Sequence, residues 1–271
     1  MTILAFTVEY DGSRFHGFQY QTRFPTVQGE LERVFGSLLP HGFKLRVAGR
    51  TDRGVHALGQ VITVSTEQSF RWSRFLKLAN ERLSPHIRLK EQKEVSCEFH
   101  PRHSAILRHY RYCLSEDLSL VGPMLSSYLT FVDPPLDWNR VKEAQHRLLG
   151  TNNFVSFCTN PVAEPKLIRS LDRIESRSQG TFHFLEFYGR SFLRGMVRNM
   201  TGWLIAIGQG RFAPEVIDRL LAKEKKDQSV KPAPPQGLYL MQVWYPDDRL
   251  PEWYRRPSTV QEASCVDETD E

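Results

Sequence analysis

Phe43-Lys44-Leu45-Arg46-Val47, then Gly49-Arg50-Thr51-Asp52-Arg53-Gly54-Val55-His56-Ala57-Leu58-Gly59-Gln60, then Val61-Ile62-Thr63-Val64 is the stretch on which the fold of this chain turns. Two short runs of alternating apolar residues flank a segment punctuated by glycine, which reads as strand, loop, strand. Gly49, Gly54 and Gly59 permit tight turns and close approach of another backbone or a ligand. In the middle stands one carboxylate, Asp52, between Arg50 and Arg53, and neighbouring cations favour the charged form of an acid. Two readings stand side by side. Thr-Asp-x-Gly is an ordinary turn, in which Asp bonds its own backbone and Gly supplies a positive φ. Alternatively the loop presents a poised carboxylate for chemistry, and the rest of the chain supplies its partners.

Before this segment, Met1 to Tyr10 lacks the basic region and cleavage site of a leader and reads as the first strand. Tyr10-Asp11-Gly12-Ser13-Arg14-Phe15-His16-Gly17-Phe18-Gln19-Tyr20-Gln21 is a loop in which aromatics alternate with basic groups. Such a loop stacks bases and holds phosphates, or else Phe15 and Phe18 simply cap the core. Thr26 is an N-cap, and Val27, Leu31, Val34, Phe35 and Leu38 form a helical apolar stripe. After the central segment, Phe70 to Leu83 is an amphipathic helix whose basic residues read as a solvated face. Ser84-Pro85-His86 ends it, and Ile87-Arg88-Leu89 opens another strand.

Residues 99–105 link this half to the next. Leu107-Arg108-His109-Tyr110-Arg111-Tyr112-Cys113-Leu114 is a strand, with Arg108, Tyr110 and Tyr112 on one face and His109, Arg111 and Cys113 on the other. Asp137 begins a helix through Val141, Ala144, Leu148 and Leu149. Leu167–Ile174 and Phe182–Tyr188 form a hairpin about Gln179-Gly180. Phe192 to Ile207 is a largely apolar helix with Arg194 and Arg198 one turn apart, and a cation on a buried helix needs an acidic partner. Lys223 to Pro235 reads as a flexible polar loop and Gly237 to Tyr245 as the final strand. Little packed structure is expected from about Asp247.

The fold class is therefore α+β, in two similar halves, 1–104 and 105–246, each a mainly antiparallel sheet with helices on one face. A polar, acidic tail, 247–271, follows, and no repeat is visible at the level of sequence. At 271 residues, with 40% hydrophobic and 25% charged, the chain suits two moderate domains. Cys97, Cys113, Cys158 and Cys265 show neither CxxC spacing nor a disulfide framework, which fits a reducing cytoplasm and no metal site. No apolar run approaches a bilayer span. The balance of 36 basic to 31 acidic residues is compatible with a polyanionic partner.

The segment Gly49 to Ala57 resembles the catalytic loop of the tRNA pseudouridine synthase A family. Tyr10-Asp11-Gly12 with Gly17-Phe18-Gln19 resembles that family's first motif, and Tyr110-Arg111-Tyr112 its tyrosine strand. Phe192-Leu193-Arg194-Gly195-Met196-Val197-Arg198-Asn199 resembles its arginine helix, and Gly237-Leu238-Tyr239-Leu240 its last active-site strand. These five motifs occur in the family's order over about Ile3 to Tyr245. Arg53 stands where the family often has alanine, and Gln236 where it often has glutamate.

The resemblance implies a cofactor-free isomerase converting uridine to pseudouridine at positions 38, 39 or 40 of the tRNA anticodon arm. It implies an RRM-like, two-half fold with the cleft between the halves, and a homodimer. Asp52 matches the nucleophile, Tyr110 the residue that packs on the target base, and Arg198 the arginine paired with the aspartate. Substrate contacts are expected from Arg14, His16 and Gln19, from Arg50 and Arg53, and from Leu238 and Leu240 as an apolar wall. A non-catalytic RNA-binding protein with RRM-like sheets is the alternative, and it leaves the carboxylate loop unexplained. A two-carboxylate glycosidase would need a second acid that the matched motifs lack.

Overall fold

Leu4, Phe6, Val8 and Tyr10 alternate along Thr2–Tyr10 and are all buried, which makes this segment a half-buried strand, β1. The computed structural model describes residues 2–67, 72–164 and 166–254. The expected helix start at Phe70 and Arg71, Cys265 and the tail from 255 lie outside the described residues. After β1 come α1 (Val27–Leu38), β2 (Lys44–Val47), β3 (His56–Thr66), α2 (Trp72–Arg82) and β4 (Ile87–Glu94). The Thr26 hydroxyl accepts from the Gly29 amide and caps α1, whose buried stripe is the one the sequence predicts.

The second stretch runs β5 (Leu107–Ser115), β6 (Thr130–Phe131), α3 (Trp138–Arg147), β7 (Gly150–Asn153), β8 (Ile168–Gln179), β9 (Phe182–Gly189), α4 (Met196–Gly208), α5 (Val216–Leu221) and β10 (Leu238–Trp244). Asp137 caps α3, and the β8–β9 hairpin turns at Gly180, which has φ +61°. Neither β7 nor α5 shows in the sequence pattern. The first is Gly-Thr-Asn-Asn without apolar alternation, and the second is too short to display a helical period.

The class is α+β with a mainly antiparallel sheet, but the strands do not separate into two sheets. One ten-stranded sheet runs β4-β1-β3-β10-β5-β9-β8-β7, with β2 on β3 and β6 on β5. The last strand in sequence lies near its middle, β10 running parallel to β3 and antiparallel to β5. β2 and β6 cover only one end each of the facing edges of β3 and β5, and β10 pairs with both strands along parts those two leave open. Ala57, Leu240, Tyr110 and Phe187 stand in register on one side of the sheet. Helices cover that side in two groups. Phe6 meets Phe35 of α1 and Phe75 of α2 over the first half, and α3 and α4 close a second core over Tyr112, Leu114 and Leu185.

Four local expectations are corrected. The loop does not extend to Gln60, because β3 begins at His56 and its buried polar residues His56 and Gln60 break the apolar alternation. Phe192 to Gly195 is not helical: Gly195 has φ +69° and α4 starts at Met196, so Arg194 precedes the helix. The polar segment after Lys223 is laid against α4, where Gly202 leaves room for the Lys231 carbonyl, 2.3 Å from where a Cβ would sit. Finally, the chain packs as far as Tyr254. Leu250, Trp253 and Tyr254 cover Leu107, Tyr188 and Trp244 on the sheet's other side, with Arg173 over the Trp253 ring. No described helix is long and apolar enough to cross a membrane.

Candidate active site

The loop Ala48 to Val55 bridges the two cores, since Ala48 is buried in the first and Val55 in the second. Backbone and side-chain hydrogen bonds fix its course between those anchors. The Ala48 amide donates to the Val61 carbonyl at 2.8 Å, and Gln60 Nε2 donates to the Gly49 carbonyl at 2.6 Å. Tyr10 and Thr51 share a hydroxyl–hydroxyl bond of 2.8 Å, and the Phe18 amide donates to the Thr51 carbonyl at 3.0 Å. Gly17 has φ +91°, and a Cβ there would lie 2.9 Å from the Thr51 carbonyl oxygen. A Cβ on Gly12 would overlap the Val55 carbonyl at 2.0 Å. The first loop of the chain is thus a cradle for the second, and its glycines are needed for contact.

Asp52 sits at the tip of this bridge with its side chain 31% exposed. Arg198 Nη1 lies 3.5 Å from Oδ2, and Arg194 Nε lies 3.9 Å from Oδ1. The two cations differ in how firmly they are held. Arg198 is 22% exposed and its Nε donates to the Ala233 carbonyl at 2.8 Å, while the Ala233 amide donates to the Arg198 carbonyl at 2.9 Å. Arg194 is 66% exposed, so water screens its attraction more strongly. Arg198 is the structural partner of the carboxylate.

Tyr110 stands on β5 opposite Leu240 and packs against both cores. Phe192 meets its ring edge-on, with centroids 5.0 Å apart at 77°. A Cβ on Gly49 would come within 3.9 Å of its hydroxyl, which places the phenol beside the start of the Asp52 loop. Burial pushes the Tyr110 pKa up and the charge of Asp52 adds to this, while Arg108 opposes it. At neutral pH the phenol keeps its proton and is a hydrogen-bond donor.

A family profile described as tRNA pseudouridine synthase matches residues 144–246. A tRNA pseudouridine synthase A of Exiguobacterium sibiricum is 34% identical over 90% of this chain and 96% of its own length. Those of Syntrophomonas wolfei and Geobacter sp. (strain M21) are 34% and 36% identical, over 92% and 89% of the chain and 99% and 97% of their own lengths. The chain belongs to the tRNA pseudouridine synthase A family.

The residues that the motifs of the tRNA pseudouridine synthase A family select fall into three groups. Asp52, Arg198 and Tyr110 converge at the seam between the cores. Arg50 and Arg53 are exposed on the Asp52 loop; Arg14 and Gln19 are exposed on the first loop, where His16 stacks on Phe24 at 4.1 Å. Leu238 and Leu240 are buried, 6% and 1% exposed, one in each core, where they stand cross-strand beside Tyr112 and Tyr110 and form no open wall.

His56, inside the family's loop motif, faces the other side of the sheet. Its Nδ1 accepts from the Gly12 amide at 3.1 Å, which assigns the proton to Nε2, donating to the Ser127 carbonyl at 2.9 Å. It stacks on Tyr239, and burial pulls its pKa down, so it is a neutral structural group. The sequence sets Arg194 beside Arg198 as cations needing an acidic partner, and Arg194 does reach Asp52; its pattern does not show that Tyr10 and Gln60 hold the loop. The available signal was Gln60 directly before the apolar run Val61 to Val64, where a polar group drawn into the core needs a partner.

Proposed function

We propose that this chain converts uridine to pseudouridine at one or more of positions 38, 39 and 40 of the tRNA anticodon arm, with Asp52 as the nucleophile. The convergence of a partly exposed Asp52, the clamped Arg198 and the partly buried Tyr110 at one seam carries this reading. A non-catalytic RNA-binding role accounts for none of it, because a carboxylate facing phosphate weakens binding. The reaction breaks the bond from C1′ to N1 of uracil and makes one from C1′ to C5. The C5 hydrogen leaves as a proton and N1 gains one, so product and substrate are isomers and no redox partner is consumed.

The uridine must first leave its stack, which costs a few kcal/mol. Stacking on the Tyr110 ring returns about 1–3 kcal/mol of that. Asp52 then attacks the sugar or stabilises the glycosidic cation, and either task needs a fixed anion close to the reacting carbon. Arg198, itself fixed by Ala233, aims the carboxylate. The Tyr110 hydroxyl, held protonated, donates to the detached base. Arg50, Arg53, Arg14, His16 and Gln19 grip RNA around the seam, and Leu240 flanks Tyr110 on the neighbouring strand while Leu238 flanks Tyr112.

Scattered cysteines support a cytoplasmic location and the family resemblance supports a homodimer, and sedimentation of the purified protein tests the dimer. Incubation with unmodified tRNA transcripts, followed by mapping of pseudouridine, tests the substrate. Product confined to positions 38–40 supports the reading, and product elsewhere in the tRNA, or none, overturns it.

A further inference from the structure

Arg108 is 7% exposed, and among the described residues no carboxylate forms an ion pair with it. A buried guanidinium is costly unless its donors are satisfied. Here the partners are all main-chain carbonyls, from three separate segments. Nη2 donates to Ala48 at 3.0 Å and to Arg102 at 2.8 Å, and Nη1 donates to Arg190. Ala48 opens the loop that carries Asp52. Arg190 opens the turn that leads to Arg194 and Arg198. Arg102 lies in the link between the two halves of the chain.

The three carbonyls meet at the start of β5, two residues before Tyr110 on the same face of that strand. Arg108 therefore holds Ala48 while Tyr110 stands beside Gly49, so one strand face lines successive residues of the loop. A core-filling role would be met by methionine or leucine without burying a charge. A lysine would carry the charge, but it lacks the planar fork that directs bonds to several acceptors at once.

We propose that Arg108 is a positioning residue of the isomerase, setting the spacing between the Asp52 loop and the segment bearing Arg194 and Arg198. The proposal rests on the assignment of Asp52 as nucleophile. Arg108 touches no substrate and acts through the carbonyls of Ala48 and Arg190. Its loss lets the carboxylate and its arginines drift apart by fractions of an ångström, which is enough to slow a reaction that depends on alignment.

The test compares Arg108→Lys, Arg198→Lys and the double variant in single-turnover pseudouridine formation, with tRNA affinity and thermal melting measured on the same preparations. Arg108→Lys is expected to bind tRNA within about twofold of the native chain and to turn over ~10- to 100-fold more slowly. The double variant is expected to be no slower than Arg198→Lys alone, because both substitutions remove one alignment. In Arg108→Ala, added methylguanidinium is expected to restore part of the rate.

Native turnover by Arg108→Lys, or losses that multiply in the double variant, would overturn the proposal. Failure of both Arg108 variants to fold would do the same, since it would make Arg108 a residue of the core alone. Asp52→Asn separates the two readings. If it is inactive while Arg108→Lys is normal, only this proposal falls; if Asp52→Asn turns over normally, both fall.

Discussion

Arg198 approaches Asp52 to 3.5 Å with one guanidinium nitrogen and bonds the Ala233 carbonyl with another, at 2.8 Å. The cation is therefore aimed from behind by a segment far along the chain. Arg198→Lys keeps the charge but cannot make both contacts in a fixed plane. It should lower the single-turnover rate by ~10-fold or more with little change in tRNA affinity, the pattern of an interaction made chiefly in the transition state. Arg194→Gln, removing the more exposed and more distant cation, should cost less. Equal losses in the two variants would show that the clamp on Arg198 is irrelevant.

Gly17→Ala places a side chain at φ +91° and 2.9 Å from the Thr51 carbonyl. The left-handed backbone alone costs an L-residue about 1–2 kcal/mol, and the contact must also be relieved by moving the Asp52 loop. Stability in urea should fall by at least that amount, and turnover per folded molecule should fall as well. Normal turnover in a destabilised variant would mean that the first loop braces the fold without placing Asp52.

Glu186 offers the opposite case. It is 1% exposed on the far side of the sheet, between His109 Nε2 at 2.6 Å and Arg111 Nε at 2.8 Å. Glu186→Ala strands two polar groups and should destabilise the chain by about 3 kcal/mol, the low end for a broken buried pair because Arg111 keeps some contact with water. Turnover of the folded fraction should be unchanged. A melting curve and an activity assay on the same sample check both halves of this statement.

Buried tyrosines make the protein sensitive to alkali. Burial raises the pKa of Tyr10, Tyr112, Tyr239 and Tyr245 well above the ordinary value of 10.0, and that of Tyr110 in the same direction. Their unfolded forms release protons first, so the unfolded state binds fewer protons in the window above the ordinary value. Stability should be insensitive to these groups below about pH 10 and should fall as pH rises beyond it. Melting temperature followed together with tyrosinate absorbance checks this, and tyrosinate appearing before unfolding would contradict it.

What could be read from the sequence was whatever depends on near neighbours. Thr26 with the stripe from Val27 to Leu38 is a local pattern, and so are the faces of the strand around Tyr110; both stand in the structure as the spacing predicts. The placement of β10 is not local. Its partners β3 and β5 are distant in the chain, and nothing in Leu238 to Trp244 says that both edges will be paired. The limits of the Asp52 loop were obscured by His56 and Gln60, polar residues that are buried because each finds a hydrogen-bond partner. The start of α4 was obscured by the positive φ of Gly195, which a helical apolar pattern does not reveal. The site motifs named Asp52, Tyr110 and Arg198, and the helix pattern pointed to Arg194 as a second cation, whereas the clamp at Ala233 depends on tertiary geometry.

The carboxylate at the seam is the centre of this account, and Asp52→Asn tests it most directly. The substitution keeps size and hydrogen-bonding capacity while removing the charge and the nucleophilic oxygen. The variant should fold, bind unmodified tRNA transcripts with near-native affinity, and form no measurable pseudouridine when product is mapped nucleotide by nucleotide. Pseudouridine formed by Asp52→Asn at a rate near that of the native chain would contradict it.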